Sequence, residues 1–320
     1  MNQSIHSNES RRRWGERPYH SLDYALKSAY GQKLYKIALN GGCTCPNRDG
    51  TIGKRGCIFC SEGGSGEFAS SASLTIEQQL EQGKALIKNK YKGGGYIAYF
   101  QAFTNTYAPL AYLTDIFTRT IADPEVKVLS IATRPDCLGE DVLSLLSSLQ
   151  RQKPVWVELG LQTIHPESAT FIRRGYDLPV FERAVLELAR RRIFVIVHVI
   201  LFLPGESKDQ MMDTLGFLNR LPIWGIKLQL LHVLQNTDLA EYYQAHPFKI
   251  PSMEEYFEVL GACIARLNPE TVIHRLTGDG PKDLLIAPLW TGRKRMVLNR
   301  FHAYLKHHDI WQGKNFMKTD

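Results

Sequence analysis

Apolar and polar positions along this chain follow two periods that take turns. Runs of nearly continuous apolar residues, KLYKIALN (33–40), YIAYFQAF (96–103), VKVLSIA (126–132), VWVELGLQ (155–162), IFVIVHVILFLP (193–204) and GIKLQLLHV (225–233), predict strands. Each is followed by a stretch whose apolar residues recur every three or four positions: 75–91, 109–123, 140–151, 178–192, 207–220 and 237–246. These predict helices, the first capped by Thr75. Six strand–helix units with apolar strands argue for a parallel sheet buried on both faces. Six units are too few to close an eight-fold barrel. The expected fold is therefore α/β, a partial (β/α)6 TIM-like barrel over residues 33–250 with a lateral opening. Residues 1–32 are an N-terminal extension, and 251–320 a C-terminal extension with a helix (SMEEYFEVLGACIARL), a strand (TVIHRL) and a basic helical tail from 290. In such folds chemistry gathers on loops leaving the C-terminal ends of the strands.

Composition changes this picture little. With 44% hydrophobic and 22% charged residues the chain is that of a globular protein, and no run reaches the roughly 20 apolar residues of a membrane span. The N-terminus lacks an apolar signal-peptide segment, which places the expected location in the cytoplasm. In that reducing compartment clustered cysteines bind metal more often than they form disulfides. Charge adds more. The net formal charge is +7, and TGRKRMVLNRFHAYLKHHDIWQGKNFMK interleaves cations with aromatics, a pattern suited to a polyanion such as RNA. The same pattern also describes a terminal helix that packs its apolar side inward.

Four of six cysteines fall in CTCPNRDGTIGKRGCIFC, residues 43–60, at the end of the first predicted strand. Spacing alone slightly favours a four-thiolate zinc site. Position favours an iron–sulfur cluster with one open iron, because the surrounding α/β repeat has core enough without a structural ion.

The combination CPNRDGTIGKRGCIFC, YFQAFTNTYAP, ATRPD, ELGLQT, RRGYD, HVILFLPGE and LHVLQNT resembles the radical SAM superfamily, and within it the bacterial YhcC/YtqA family, from about residue 17 to about residue 300. It is more distantly similar to the Elongator catalytic subunit and the oxygen-independent coproporphyrinogen oxidase. The resemblance implies a barrel of the radical SAM type with one [4Fe-4S] cluster on Cys45, Cys57 and Cys60, leaving Cys43 a bystander. The gap between the first two ligands is longer than in the CxxxCxxC of most members. It further implies that S-adenosylmethionine chelates the open iron and is reductively cleaved to a 5′-deoxyadenosyl radical, which abstracts a substrate hydrogen. An electron donor such as flavodoxin or ferredoxin is implied with it.

Site residues carry over singly. Gln101 ends the strand that offers backbone groups to the methionine amine, although Phe100, Gln101 and Ala102 replace the usual glycines. Gln162 matches a glutamine near the ribose, Arg174 an arginine for the cofactor carboxylate, and His198 a polar position facing the cofactor. Val233 and Leu234 would flank the adenine, and Ala132 stands where relatives carry the glutamate of ETRPD. The implied substrate is tRNA, at the C5 side chain of a wobble uridine, with Lys282, Asp283 and Trp290 offered to the substrate face.

From the residues alone, blander readings stand beside these. His198 is then a satisfied core histidine, Glu158 a buried partner of an arginine, and Arg173 with Arg174 an exposed helix end. Cys137 and Cys263 are packed thiols, and the glycines at 93–95 a tight connection. Two rival functions remain: a radical enzyme acting on a small metabolite, and a noncatalytic zinc-containing RNA-binding protein using all four clustered cysteines.

Overall fold

β-branched and aromatic residues bounded by glycine, proline and polar caps set where the elements run. The computed structural model describes residues 14–64, 66, 68–278 and 280–317, so the first part of the N-terminal extension and the last three residues of the basic tail lie outside it. In chain order the elements are α1 (Leu22–Tyr30), β1 (Tyr35–Leu39), α2 (Ile76–Ile87), β2 (Tyr96–Phe100), α3 (Leu110–Ala122), β3 (Val126–Thr133), α4 (Glu140–Gln150) and β4 (Val155–Gln162). There follow α5 (Pro166–Phe171), α6 (Leu178–Arg190), β5 (Phe194–Leu201), α7 (Lys208–Leu218), β6 (Gly225–Leu230), β7 (Val233–Leu234) and α8 (Asp238–Ala245). The chain closes with α9 (Met253–Arg266), β8 (Val272–Arg275), β9 (Leu285–Ala287) and α10 (Lys294–His307). Capping boxes start three helices: Thr75 with Gln78, Ser207 with Gln210, and Ser252 with Glu255. Among the described residues no helix is long and apolar enough to cross a membrane.

The sheet is all parallel, in the order β1-β2-β3-β4-β5-β6-β8, curled into a half-barrel. Its seventh strand, β8, comes from the segment read as C-terminal extension, so that segment completes the sheet. The predicted strand GIKLQLLHV breaks after Leu230, and β7 turns away to pair antiparallel with β9. Glycine allows α2 to press on β1: a Cβ at Gly83 would lie 2.2 Å from Ile37 Cγ2. Gly93, Gly94 and Gly95 all have φ between 91° and 99°, with Gly94 packed on the Lys33 carbonyl, so they form the tight connection into β2.

Strand alternation divides the inside of the half-barrel into layers. Nearest the strand starts, Ile97, Val128, Trp156 and Ile196 form one buried cluster with Leu26 of α1 and Leu34. This apolar plug closes the bottom, and α1, unassigned in the sequence reading, supplies part of it. Two residues further along the same strands come Tyr99, Ser130, Glu158 and His198. The middle of the lumen is therefore polar, where the apolar strand patterns predicted burial on both faces. Above it open the loops at the C-terminal strand ends.

Candidate active site

The cysteine loop leaves β1 and folds over the top of the lumen. Its turns are tied by backbone bonds from Arg48 and Asp49 to the Cys45 carbonyl at 2.8 and 3.1 Å, and from the Cys60 amide to the Cys57 carbonyl at 2.9 Å. Side chains fix it to the barrel. Asn47 Nδ2 donates to the Arg173 carbonyl at 2.7 Å and approaches Cys57 Sγ at 3.6 Å, and Arg48 donates to the Cys60 carbonyl at 2.9 Å.

Cys45, Cys57 and Cys60 line one cavity of about 280 Å³ with Gln101, Gln162, Arg174, His198 and Leu234. Eight of the nine residues expected in the site thus share a single chamber. The ninth, Val233, is fully buried beside Ile58 and Leu239 and does not reach it. Strand alternation explains this, since only one of two consecutive residues can face the lumen. Cys43 also lies elsewhere: it is buried in the main core, its thiol bonds the Gly41 carbonyl at 3.7 Å, and burial pushes its pKa up to about 11. Cys263 is packed in the same core, whereas Cys137 is half-buried beside the Asp136 carboxylate.

Burial, then the neighbouring Cys60, raises the Cys57 thiol to about 12, with Arg134 pulling the other way. A thiol so placed becomes a thiolate when an electrophilic iron binds it. Among the described residues no three His, Cys, Asp or Glu side chains converge as ligands of one metal ion. The three thiols share one chamber, and thiolates are the donors that an iron–sulfur cluster takes. Gln162 gives a second fit. Its backbone has φ of 67° where β4 and β5 slip register, and its Oε1 is buried without a hydrogen-bond partner. A hydroxyl donor such as a ribose would satisfy that acceptor.

Arg174 is buried, not an exposed helix end. Its guanidinium donates to the carbonyls of Thr163, Tyr176 and Leu161 at 2.7, 3.0 and 3.3 Å, bracing the turn that carries Gln162. Arg134 of ATRPD forms a two-pronged pair with Asp136 and donates to the Arg174 carbonyl at 2.9 Å. Tyr176 lies between the two guanidiniums and donates to the Gly160 carbonyl.

The polar middle layer brings His198, expected to face the cofactor, together with Glu158, Lys36 and Lys227, which carry no site role in the sequence. Glu158 is paired with two lysines, not with an arginine: Lys36 at 3.1 Å and Lys227, with Ser130 donating at 2.9 Å. His198 Nε2 lies 2.7 Å from the same carboxylate. Burial pushes the Glu158 carboxyl upward, but Lys227, Lys36 and His198 outweigh it and hold the group ionised, well below its usual range. Burial, then Lys227, lowers His198 to about 4, so the ring is neutral and donates its proton to Glu158. Burial likewise draws Lys227 below the ordinary lysine range, against the pull of Glu158. One signal for these residues was present: Lys36, Glu158, His198 and Lys227 each interrupt an apolar strand at its middle.

A radical SAM superfamily model matches residues 47–218 and a Radical_SAM C-terminal domain model matches 223–307. The chain is 41% identical to YtqA of Bacillus subtilis over 305 residues, covering 95% of both proteins. It is 24% identical over 193 residues to a tRNA uridine(34) acetyltransferase of Methanocaldococcus jannaschii, covering 59% of this chain and 34% of that protein. Among solved structures, the archaeal Elp3 of Methanocaldococcus infernus superposes with a TM-score of 0.68 at 16% identity, over 87% of this chain and 64% of that one, a likeness of fold. By its cavity, its family-model matches and its full-length likeness to YtqA, the chain belongs to the radical SAM superfamily, in the YhcC/YtqA family, whose cofactors are a [4Fe-4S] cluster and S-adenosylmethionine.

Proposed function

We propose that this radical SAM enzyme modifies tRNA at the C5 side chain of a wobble uridine, with its cluster on Cys45, Cys57 and Cys60. The observation that carries the reading is a basic groove continuous in chain with the reaction chamber. Gly278 and Gly280 line the chamber, and Lys282, two residues on, lines a second groove with Arg293, Lys294 and Arg295. A polyanion held on that groove presents its neighbouring atoms to the chamber mouth. The M. jannaschii relative acts, by its name, on uridine 34 of tRNA, which supports the substrate class.

When bound, the cofactors supply a 5′-deoxyadenosyl radical for hydrogen abstraction. The chain's own residues do the rest. Gln162 would accept a hydrogen bond from the ribose, Gln101 just past β2 would serve the methionine, and Leu234 would offer an apolar face to the adenine. Arg174 positions Gln162 through the carbonyls it holds, and the plug below excludes water from beneath the chamber.

The test uses anaerobically purified enzyme with S-adenosylmethionine, a reductant and tRNA from cells in which the gene is deleted. Formation of 5′-deoxyadenosine should rise at least about tenfold with tRNA, and nucleoside mass spectrometry should find a new uridine derivative. Stimulation by a small-molecule extract, with none by tRNA, would replace this reading with the small-metabolite enzyme.

A further inference from the structure

Alternation along β6 turns Lys227 and Gln229 to the lumen, and both line the chamber. Lys227 is engaged by the Glu158 carboxylate and the Tyr99 hydroxyl. Gln229, two residues nearer the mouth and half-buried, has a different neighbour: its Oε1 accepts from Arg275 Nη1 of β8 at 3.5 Å. A guanidinium carries donors only, so an amide beside it settles with its oxygen toward the arginine and its NH2 group away. Gln229 makes no other hydrogen bond among the described residues. Its Nε2, on a residue that lines the chamber, therefore has two N–H groups without an acceptor. This is the reverse of Gln162, whose Oε1 lacks a donor.

The wall that holds this amide is also the one joined to the basic groove. Three residues past Arg275 comes Gly278, which lines the chamber with Gly280, and Lys282 beyond them lines the groove. Glycine is required at the crossing, since a Cβ at Gly278 would lie 2.5 Å from the His232 ring. A polynucleotide entering from the groove meets this wall first.

We propose that Gln229 reads the reacting base: Nε2 donates to O4 of a uracil, and Arg275 is the positioning residue that holds the amide in that orientation. The assignment rests on the tRNA reading above and deepens it by naming the residue that selects uridine. O4 is the polar atom beside C5, so a base that offers its C5 side chain to the chamber brings O4 in with it. Cytosine carries an amino group at the same place, and two donors then face each other with neither satisfied. O2 is common to both bases and gives no such distinction.

The experiment is filter binding, at low salt and with the whole protein, of two anticodon stem-loop RNAs that differ only in carrying uridine or cytidine at position 34. Wild type should prefer uridine about tenfold or more, as expected for one well-placed base contact. Gln229→Glu presents acceptors only and should prefer cytidine, while Gln229→Leu should bring the ratio near one. Arg275→Met releases the amide to turn over, so it should bring the two RNAs to similar affinity although Gln229 is intact. The ratio is the readout, because removing a cation weakens both RNAs together. A merely structural part for either residue would likewise change both affinities and leave the ratio where it was. Equal binding of the two RNAs by wild type, or a wild-type ratio kept in Gln229→Leu or in Arg275→Met, would overturn the base assignment and leave the tRNA reading standing. Binding of neither RNA would remove both.

Discussion

His198 shows how a residue can be picked out for one reason and work through another. The family resemblance marked it as a position facing the cofactor, yet the chain alone could not reveal that Glu158, forty residues earlier, would meet it at 2.7 Å. Long-range pairing across a parallel sheet leaves no local pattern, so the charges that interrupt the strands at Lys36 and Lys227 do not show in the sequence what they pair with. The pair has a consequence for acid stability. His198 titrates near 4 in the folded chain against 6.5 ordinarily, so the unfolded chain binds more protons between those values. Stability from this group is complete above about pH 6.5 and is lost as pH falls toward 4. Denaturant unfolding should give a free energy that declines over that interval, by on the order of 2 kcal/mol, and His198→Gln should flatten the decline. An unchanged slope in the variant would remove His198 as its source. The cysteines permit a second residue-level prediction. Cys43→Ala should retain iron after anaerobic purification, whereas Cys45→Ala, Cys57→Ala and Cys60→Ala should each lose most of it. Loss of metal in Cys43→Ala, with zinc rather than iron in the wild type, would favour the four-thiolate site.

Long periodic elements were legible because burial itself writes the period. α2 begins at Ile76 behind its predicted cap Thr75, and α9 matches the helix read from SMEEYFEVLGACIARL. What the pattern missed is short or buried on a narrow stripe. β9 has three residues, too few for alternation to show. α1 buries fully only Leu26, so LDYALKSAY looks polar although Ser21 caps it and Gly31 ends it with φ of 70°. That one leucine matters because it enters the plug with Trp156, Ile196, Val128 and Ile97. Leu26→Ala should cost about 2–4 kcal/mol in denaturant unfolding, the usual effect of emptying a well-packed apolar site. A change under about 0.5 kcal/mol, typical of surface positions, would mean that α1 does not seal the lumen.

For the molecule as a whole, the packed-helix reading of the basic tail holds in α10, and the polyanion reading rests on the cations at its start. α10 buries Val297, Phe301 and Leu305, as a packed terminal helix must, while Arg293, Lys294 and Arg295 at its start line the groove shared with Lys282. An excess of +7 charges then acts where it is concentrated. Phosphate contacts release counterions, so the logarithm of tRNA affinity should fall linearly with the logarithm of salt concentration. Replacing Lys282, Arg293, Lys294 and Arg295 together by alanine should reduce that slope by about 3, at roughly 0.7 to 0.9 per contact. Filter binding from low to moderate potassium chloride measures it directly. The quadruple variant should keep its iron, since the groove and the chamber that holds the cysteines have different lining residues. An unchanged slope would place the RNA, if it binds, on another face, and would leave the chamber without the approach proposed for its substrate.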